Sequence, residues 1–203
     1  MSSPRGPYAK TSAKRRTILD AALAAYSEAG SRKVSVRDIA QRVGMTDAGV
    51  LHHFGSREAL LTAVLEARDA SVEATTRATV DGPASGLEGV LTQNAATPGL
   101  VKLFVDVAAA AAEPDHPAHE FFTDRYERYR SDIAFAYSNL TSDMAEASSV
   151  SPVDPDWVAR ILLAATDGLQ LQWLLKPDID MAADLAALHT VLRKALETAD
   201  PTS

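Results

Sequence analysis

Residues 34–61 read "VSVRDIAQRVGMTDAGVLHHFGSREALL", and this stretch decides the fold. Ser35, with Asp38 three residues on, is a helix-start signal in which Asp replaces the usual Glu. Val36, Ile39, Ala40 and Val43 follow at i, i+3, i+4 and i+7, one apolar face of a short helix that Gly44 closes. Thr46 is a good N-cap for the next helix, which carries Val50, Leu51 and Phe54 and stops at Gly55. Ser56 then caps a longer helix through about Arg77, with Leu60, Leu61, Val64 and Leu65 facing inward. Two short helices joined by a tight Gly-containing turn, flanked by further helices, form a helix-turn-helix pattern.

The pattern continues in both directions. Upstream, Ile18, Leu19, Ala22, Leu23 and Tyr26 repeat at helical spacing from near Thr11, and Gly30 ends that helix. Residues 1–10 are rich in Ser, Pro and Gly, carry Arg5 and Lys10, and are expected to be a disordered basic arm. Downstream of "DGPASG", helices are expected near 86–96, 99–112, 117–147, 155–175 and 181–199, broken by Pro98, Pro114, Pro117, Pro152, Pro155 and Pro177. No segment shows the β-branched alternation of a strand. The chain is expected to be all-α, with about nine helices.

Charge is unevenly placed. The net charge of the 203-residue chain is −7, yet residues 1–68 carry +5 and residues 69–203 carry −12. A small basic unit joined to an acidic body points to a polyanion partner for the first part only. The chain has no cysteine, which excludes disulfides and thiolate metal sites and fits a reducing cytoplasm. The start "MSSPRGPYAK" has no apolar h-region, and no apolar run is long enough for a membrane span.

At this point residues 12–61 resemble the DNA-binding domain of the TetR (tetracycline-repressor-like) family of bacterial regulators. The resembling pieces are "ILDAALAAYSEAG", "VSVRDIAQRVGMT" and "LHHFGSREALL", in order and in register; "DGLQLQWLL" resembles the family's penultimate helix. The resemblance implies a helix-turn-helix domain over 11–55 and an effector-binding and dimerisation domain over 56–203. It implies a homodimer that places two recognition helices in successive major grooves of a palindromic operator. It also implies release of the operator by an unidentified small-molecule effector, with no cofactor. The alternatives are an activator, or an all-α protein that binds small molecules without regulating transcription.

Carried onto this chain, the recognition helix is Thr46 to His53. Thr46, Asp47, Ala48, Gly49, Leu51, His52 and His53 are the candidates for base or phosphate contact, because a helix N-terminus offers free N–H groups and partial positive charge. Lys14, Arg15, Ser35, Arg37 and Arg57 are phosphate candidates. Leu51 stands where the family often has Tyr and can meet only a thymine methyl, or else pack inward; Asp47 stands where a non-acidic residue is usual and can accept only from cytosine N4. His52 and His53 are not expected to hold a metal, since neighbours on a helix diverge by about 100°. They have no nucleophile partner for catalysis, so no enzyme is expected. An imidazole beside phosphate implies tighter operator binding as pH falls from about 7.5 to 6.

In the body, Phe104, Phe122, Tyr126, Tyr129 and Trp173 are the candidate effector contacts, because helical-body pockets are mostly apolar and Tyr and Trp add a hydrogen bond. His116 and His119 flank Pro117 and are read as a loop entering a helix, not as a metal site. The segment 156–175 is apolar around most of its circumference, as in a helix covered on two sides. Ile161, Leu162 and Leu169 there, with Leu185, Leu188, Leu192 and Leu196 on the last helix, are the candidate dimer contacts in a four-helix interface.

Overall fold

The computed structural model describes residues 7–30, 32–76, 83–145 and 154–197. Among these residues the chain forms nine helices and no strand: α1 (Pro7–Glu28), α2 (Val36–Arg42), α3 (Asp47–Phe54), α4 (Arg57–Thr76), α5 (Pro83–Ala95), α6 (Pro98–Ala110), α7 (His119–Ala145), α8 (Pro155–Leu175) and α9 (Met181–Glu197). α1 begins at Pro7, inside the segment expected as a disordered arm. Proline suits a first helical position because its φ is preset and its missing N–H would have lacked a partner there. The rest of that arm, with Arg5, lies outside the described residues.

α7 starts at His119, two residues later than expected. The preceding turn uses both imidazoles: the Ala118 amide donates to His116 Nδ1 at 3.2 Å, and His119 Nδ1 donates to the Ala111 carbonyl at 2.9 Å. These two histidines therefore close a loop.

The chain divides into two compact units. The first comprises residues 1–73 and 96–121, and so takes in α6 as well as α1, α2 and α3. Its core is Ile18, Ala22 and Tyr26 of α1, Ile39 of α2, Val50 of α3, Leu60, Val64 and Leu65 of α4, and Leu100, Val101, Leu103 and Phe104 of α6, all buried. α1 packs against α2, α3 and α6. The α1–α6 crossing is close at Gly99. A Cβ there would sit 3.0 Å from the Gly30 carbonyl oxygen and 3.2 Å from the Tyr26 carbonyl carbon, and nearer still to the Tyr26 oxygen.

The second unit comprises residues 74–95 and 122–203. Here α5 packs on α8 and α9, and α8 packs on α9, around Leu91, Phe122, Ile133, Tyr137, Val158, Leu162, Met181 and Leu185. A polar contact also crosses this core: buried Asn94 donates to Gln170 Oε1 at 2.9 Å. Burial of an amide is tolerable only when it is paired in this way. The Tyr137 hydroxyl is buried with no hydrogen-bond partner among the described residues, and burial pushes its pKa up to about 12.

Candidate nucleic-acid interface

The two short helices are held by their ends. Ser35 Oγ accepts from the Asp38 amide at 3.2 Å, and the Ser35 amide donates back to Asp38 Oδ2 at 2.8 Å. The capping box is thus complete with Asp in the Glu position. The Ser35 hydroxyl also donates to that carboxylate at 2.7 Å, and this bond is the main cause holding Asp38 below the usual carboxylate range. At the other end of α2, Arg42 forms a two-pronged pair with Glu28 at 2.6 and 3.1 Å, tying α2 to the end of α1.

The turn between α2 and α3 depends on Gly44, whose φ is +64°, a left-handed conformation that costs glycine nothing sterically. The Met45 amide then reaches the Ala40 carbonyl at 2.9 Å. Thr46 Oγ1 accepts from the Gly49 amide at 3.0 Å and starts α3. Val50 is fully buried and fixes which side of α3 faces the core. Thr46, Asp47, Ala48 and His52 are consequently exposed, while Gly49, Leu51, His53 and Phe54 are half-buried. Ala48 and His52, four apart, share one exposed stripe. Ser56 Oγ accepts from the Ala59 amide at 3.0 Å and starts α4.

The basic candidates differ in how free they are. Arg37 and Arg57 are exposed, and Arg57 has Glu58 at 3.8 Å. Lys14 is half-buried. Arg15 is half-buried too, and its guanidinium donates to the His53 carbonyl and lies over the Phe54 ring, 4.2 Å from the centroid. Arg32 and Lys33, exposed in the link before α2, were not singled out in the sequence. With Tyr26, Arg57, Lys102 and Asp106 they line a cleft of about 330 Å³ in the first unit. Their only sequence signal is two adjacent basic residues before a cap.

The candidate effector contacts come from both units. Phe104 is buried in the first unit, whereas Phe122, Tyr126, Tyr129 and Trp173 belong to the second. The Phe122 and Tyr126 rings lie 6.2 Å apart. The Tyr126 hydroxyl donates to Asp167 Oδ2 at 2.5 Å. Burial is the main cause raising the pKa of both groups, which is the usual response of an acid moved out of water. Tyr129 lies under the Arg125 and Arg128 guanidiniums at 4.7 and 5.2 Å. Asp167, the partner of Tyr126, carries no sequence signal beyond being an acid within the mostly apolar run 156–175.

The dimer candidates also separate. Leu162, Leu185 and Leu192 are buried inside their own subunit; Ile161, Leu169 and Leu188 are half-buried; the Leu196 side chain lies outside the described residues. The large apolar side chains that face outward among the described residues are Phe135 of α7, exposed by 70%, with Trp157, Leu171 and Leu175 of α8 and Val191 of α9, exposed by 42, 49, 81 and 63%. Among the described residues, no helix is long and apolar enough to cross a membrane.

Comparison with known proteins agrees with this geometry. Residues 18–64 match the family model described as bacterial regulatory proteins, tetR family. Residues 84–200, more than half of the chain, match the model for the C-terminal region of BetI-type transcriptional repressors. The HTH-type transcriptional repressor Rv1474c of Mycobacterium tuberculosis is 28% identical over 173 residues, covering 74% of this chain and 89% of that protein. Among solved structures, a TetR-family regulator from Pectobacterium atrosepticum superposes with a TM-score of 0.66 at 22% identity, covering 94% of this chain and 97% of the other. A regulator from Saccharomonospora viridis, solved in complex with choline, superposes with a TM-score of 0.60 at 23% identity, covering 92% and 94%. The capped helix pair, the outward stripe of α3 and a body matched along its length make one conclusion: the chain belongs to the TetR family of helix-turn-helix, DNA-binding transcriptional regulators.

Proposed function

We propose that the chain is a transcriptional repressor that binds a palindromic operator as a homodimer and is released by a small-molecule effector. The observation that carries this reading is the short helix α3, anchored by buried Val50 and capped by Thr46, with Thr46, Asp47, Ala48 and His52 left facing solvent. Such a helix suits the major groove, with Gly49 at its half-buried N-terminal end and Leu51 and His53 at its edge. Ser35 and Arg37 at the start of α2, Lys14 on α1 and Arg57 at the start of α4 suit flanking phosphates. The dimer face is assigned to Trp157, Leu171, Leu175 and Val191, because exposed apolar side chains on two neighbouring helices fit an isologous contact. The acidic remainder of the chain keeps DNA engagement to the basic residues 1–68.

Repression is supported by the repressor-type body and by the repressor Rv1474c. An effector is supported by family membership and by the Saccharomonospora regulator, of the same fold, which holds choline. Candidate contacts are Phe122, Tyr126, Tyr129 and Trp173 of the second unit, with Asp167 added, and Phe104 of the first. An effector that binds better when the chain is off DNA weakens operator affinity by the same factor.

The test is selection of duplexes from a random library, followed by titration of the winner against salt. A palindromic winner whose binding constant falls steeply with salt supports the reading. Binding that shows no preferred duplex and no salt dependence overturns it. A thermal-shift screen of small molecules, repeated with operator bound, then identifies ligands that stabilise the chain but lower its affinity for DNA.

A further inference from the structure

Arg15 is a phosphate candidate by its charge, but its side chain faces the end of α3. From α1 its Nη1 donates to the carbonyl oxygen of His53, 38 residues away. Its guanidinium carbon lies 4.2 Å from the centre of the Phe54 ring. His53 and Phe54 are the last two residues of α3. A helix ends in carbonyls that lack partners within the helix and in partial negative charge. The Gly55 amide satisfies Leu51, and Arg15 satisfies His53.

The hold matters because α3 has only eight residues, and a helix that short has little stability of its own. The Thr46 cap starts it, while Val50 in the core and Arg15 behind tie it to the rest of the unit. We infer that Arg15 is a positioning residue for the recognition helix. It fixes the angle at which α3 presents Thr46 to His53, and it contributes specificity rather than a phosphate contact. A planar guanidinium can bond a carbonyl and stack on a ring at once; a lysine ammonium keeps the charge but loses the flat face.

The inference rests on α3 being the DNA-reading helix, and the experiment separates the two. Full-length wild type, Arg15→Lys, Arg15→Gln and Phe54→Leu are titrated with the duplex selected by wild type and with a scrambled duplex, across salt. Arg15→Lys and Phe54→Leu should each lose about tenfold on the selected duplex, the scale of one misread base pair. The scrambled duplex should bind as before, and the slope of log affinity on log salt should not change.

A direct phosphate contact gives the opposite pattern. Arg15→Lys then binds like wild type, and Arg15→Gln weakens both duplexes alike with a slope shallower by about 0.9 per subunit, about 1.8 for the dimer. That result overturns the inference, as does wild-type discrimination in both Arg15→Lys and Phe54→Leu. Hydrogen exchange on the DNA-free chain is the independent check. Amides of α3 should exchange several-fold faster in Arg15→Lys while those of α1 and α4 hold; equal acceleration in all three helices overturns the positioning role. Should Arg15→Lys fail to fold, Phe54→Leu carries the same readouts. Failure to select any duplex defeats the DNA reading, and exchange still decides whether Arg15 holds α3.

Discussion

In the second unit the Tyr137 hydroxyl is buried and Asp167 is half-buried, each at a cost, and both can be tested singly. The Tyr137 hydroxyl is buried with no hydrogen-bond partner among the described residues, and an unmet buried hydroxyl costs about 1–3 kcal/mol. Tyr137→Phe keeps the ring that meets His189 edge-on at 5.7 Å and should raise stability by about 1 kcal/mol, read from urea midpoints; a loss would mean that the hydroxyl holds a bond. Asp167 makes a different prediction. Its folded pKa is raised above 3.8, with desolvation as the largest cause. Stability from burying the neutral acid is therefore full below about pH 3.8 and lost as pH rises through the raised value. Asp167→Asn can still accept from Tyr126 and carries no charge, so it should melt above wild type at pH 7, with the gap closing toward pH 4. A constant gap across that range would show that charge is not the reason.

At the level of elements, the sequence was readable where a helix is determined by its own residues. Ser35, Thr46 and Ser56 each accept the amide that an N-cap should, and α8 spans 155–175 as its periodicity required. Contacts between distant residues were not readable. Arg15 with His53 and Tyr126 with Asp167 are 38 and 41 residues apart, and nothing local announces either. The α9 seam shows the limit from another side: periodicity reveals which face is apolar, not what covers it, so Leu185 and Leu192, expected at a partner, pack within the subunit. The α1–α6 crossing was equally silent, since Gly99 reads as a residue after a helix-starting proline. Gly99→Ala should drive a methyl into the Tyr26 carbonyl and cost about 1–3 kcal/mol as overpacking, measured by denaturant unfolding. An unchanged midpoint would mean that the two helices part readily there.

For the whole molecule, the charge split and the outward apolar residues make a joint prediction. Wild type should sediment as a dimer at micromolar concentration. Leu171→Glu combined with Leu175→Glu places two carboxylates on the exposed α8 face and should yield a folded monomer. Operator affinity should then fall about 100-fold or more, because two linked reading heads gain that much over one. A dimer that survives the double change would move the interface elsewhere on the body. The division into units has a separate consequence for anyone engineering this protein. The first unit takes residues 1–73 and then 96–121, with a piece of the second between them. No single cut therefore frees a complete DNA-reading module. A fusion made at residue 73 leaves behind α6 and the Gly99 crossing, so exchanging specificity between regulators of this build calls for two splice points.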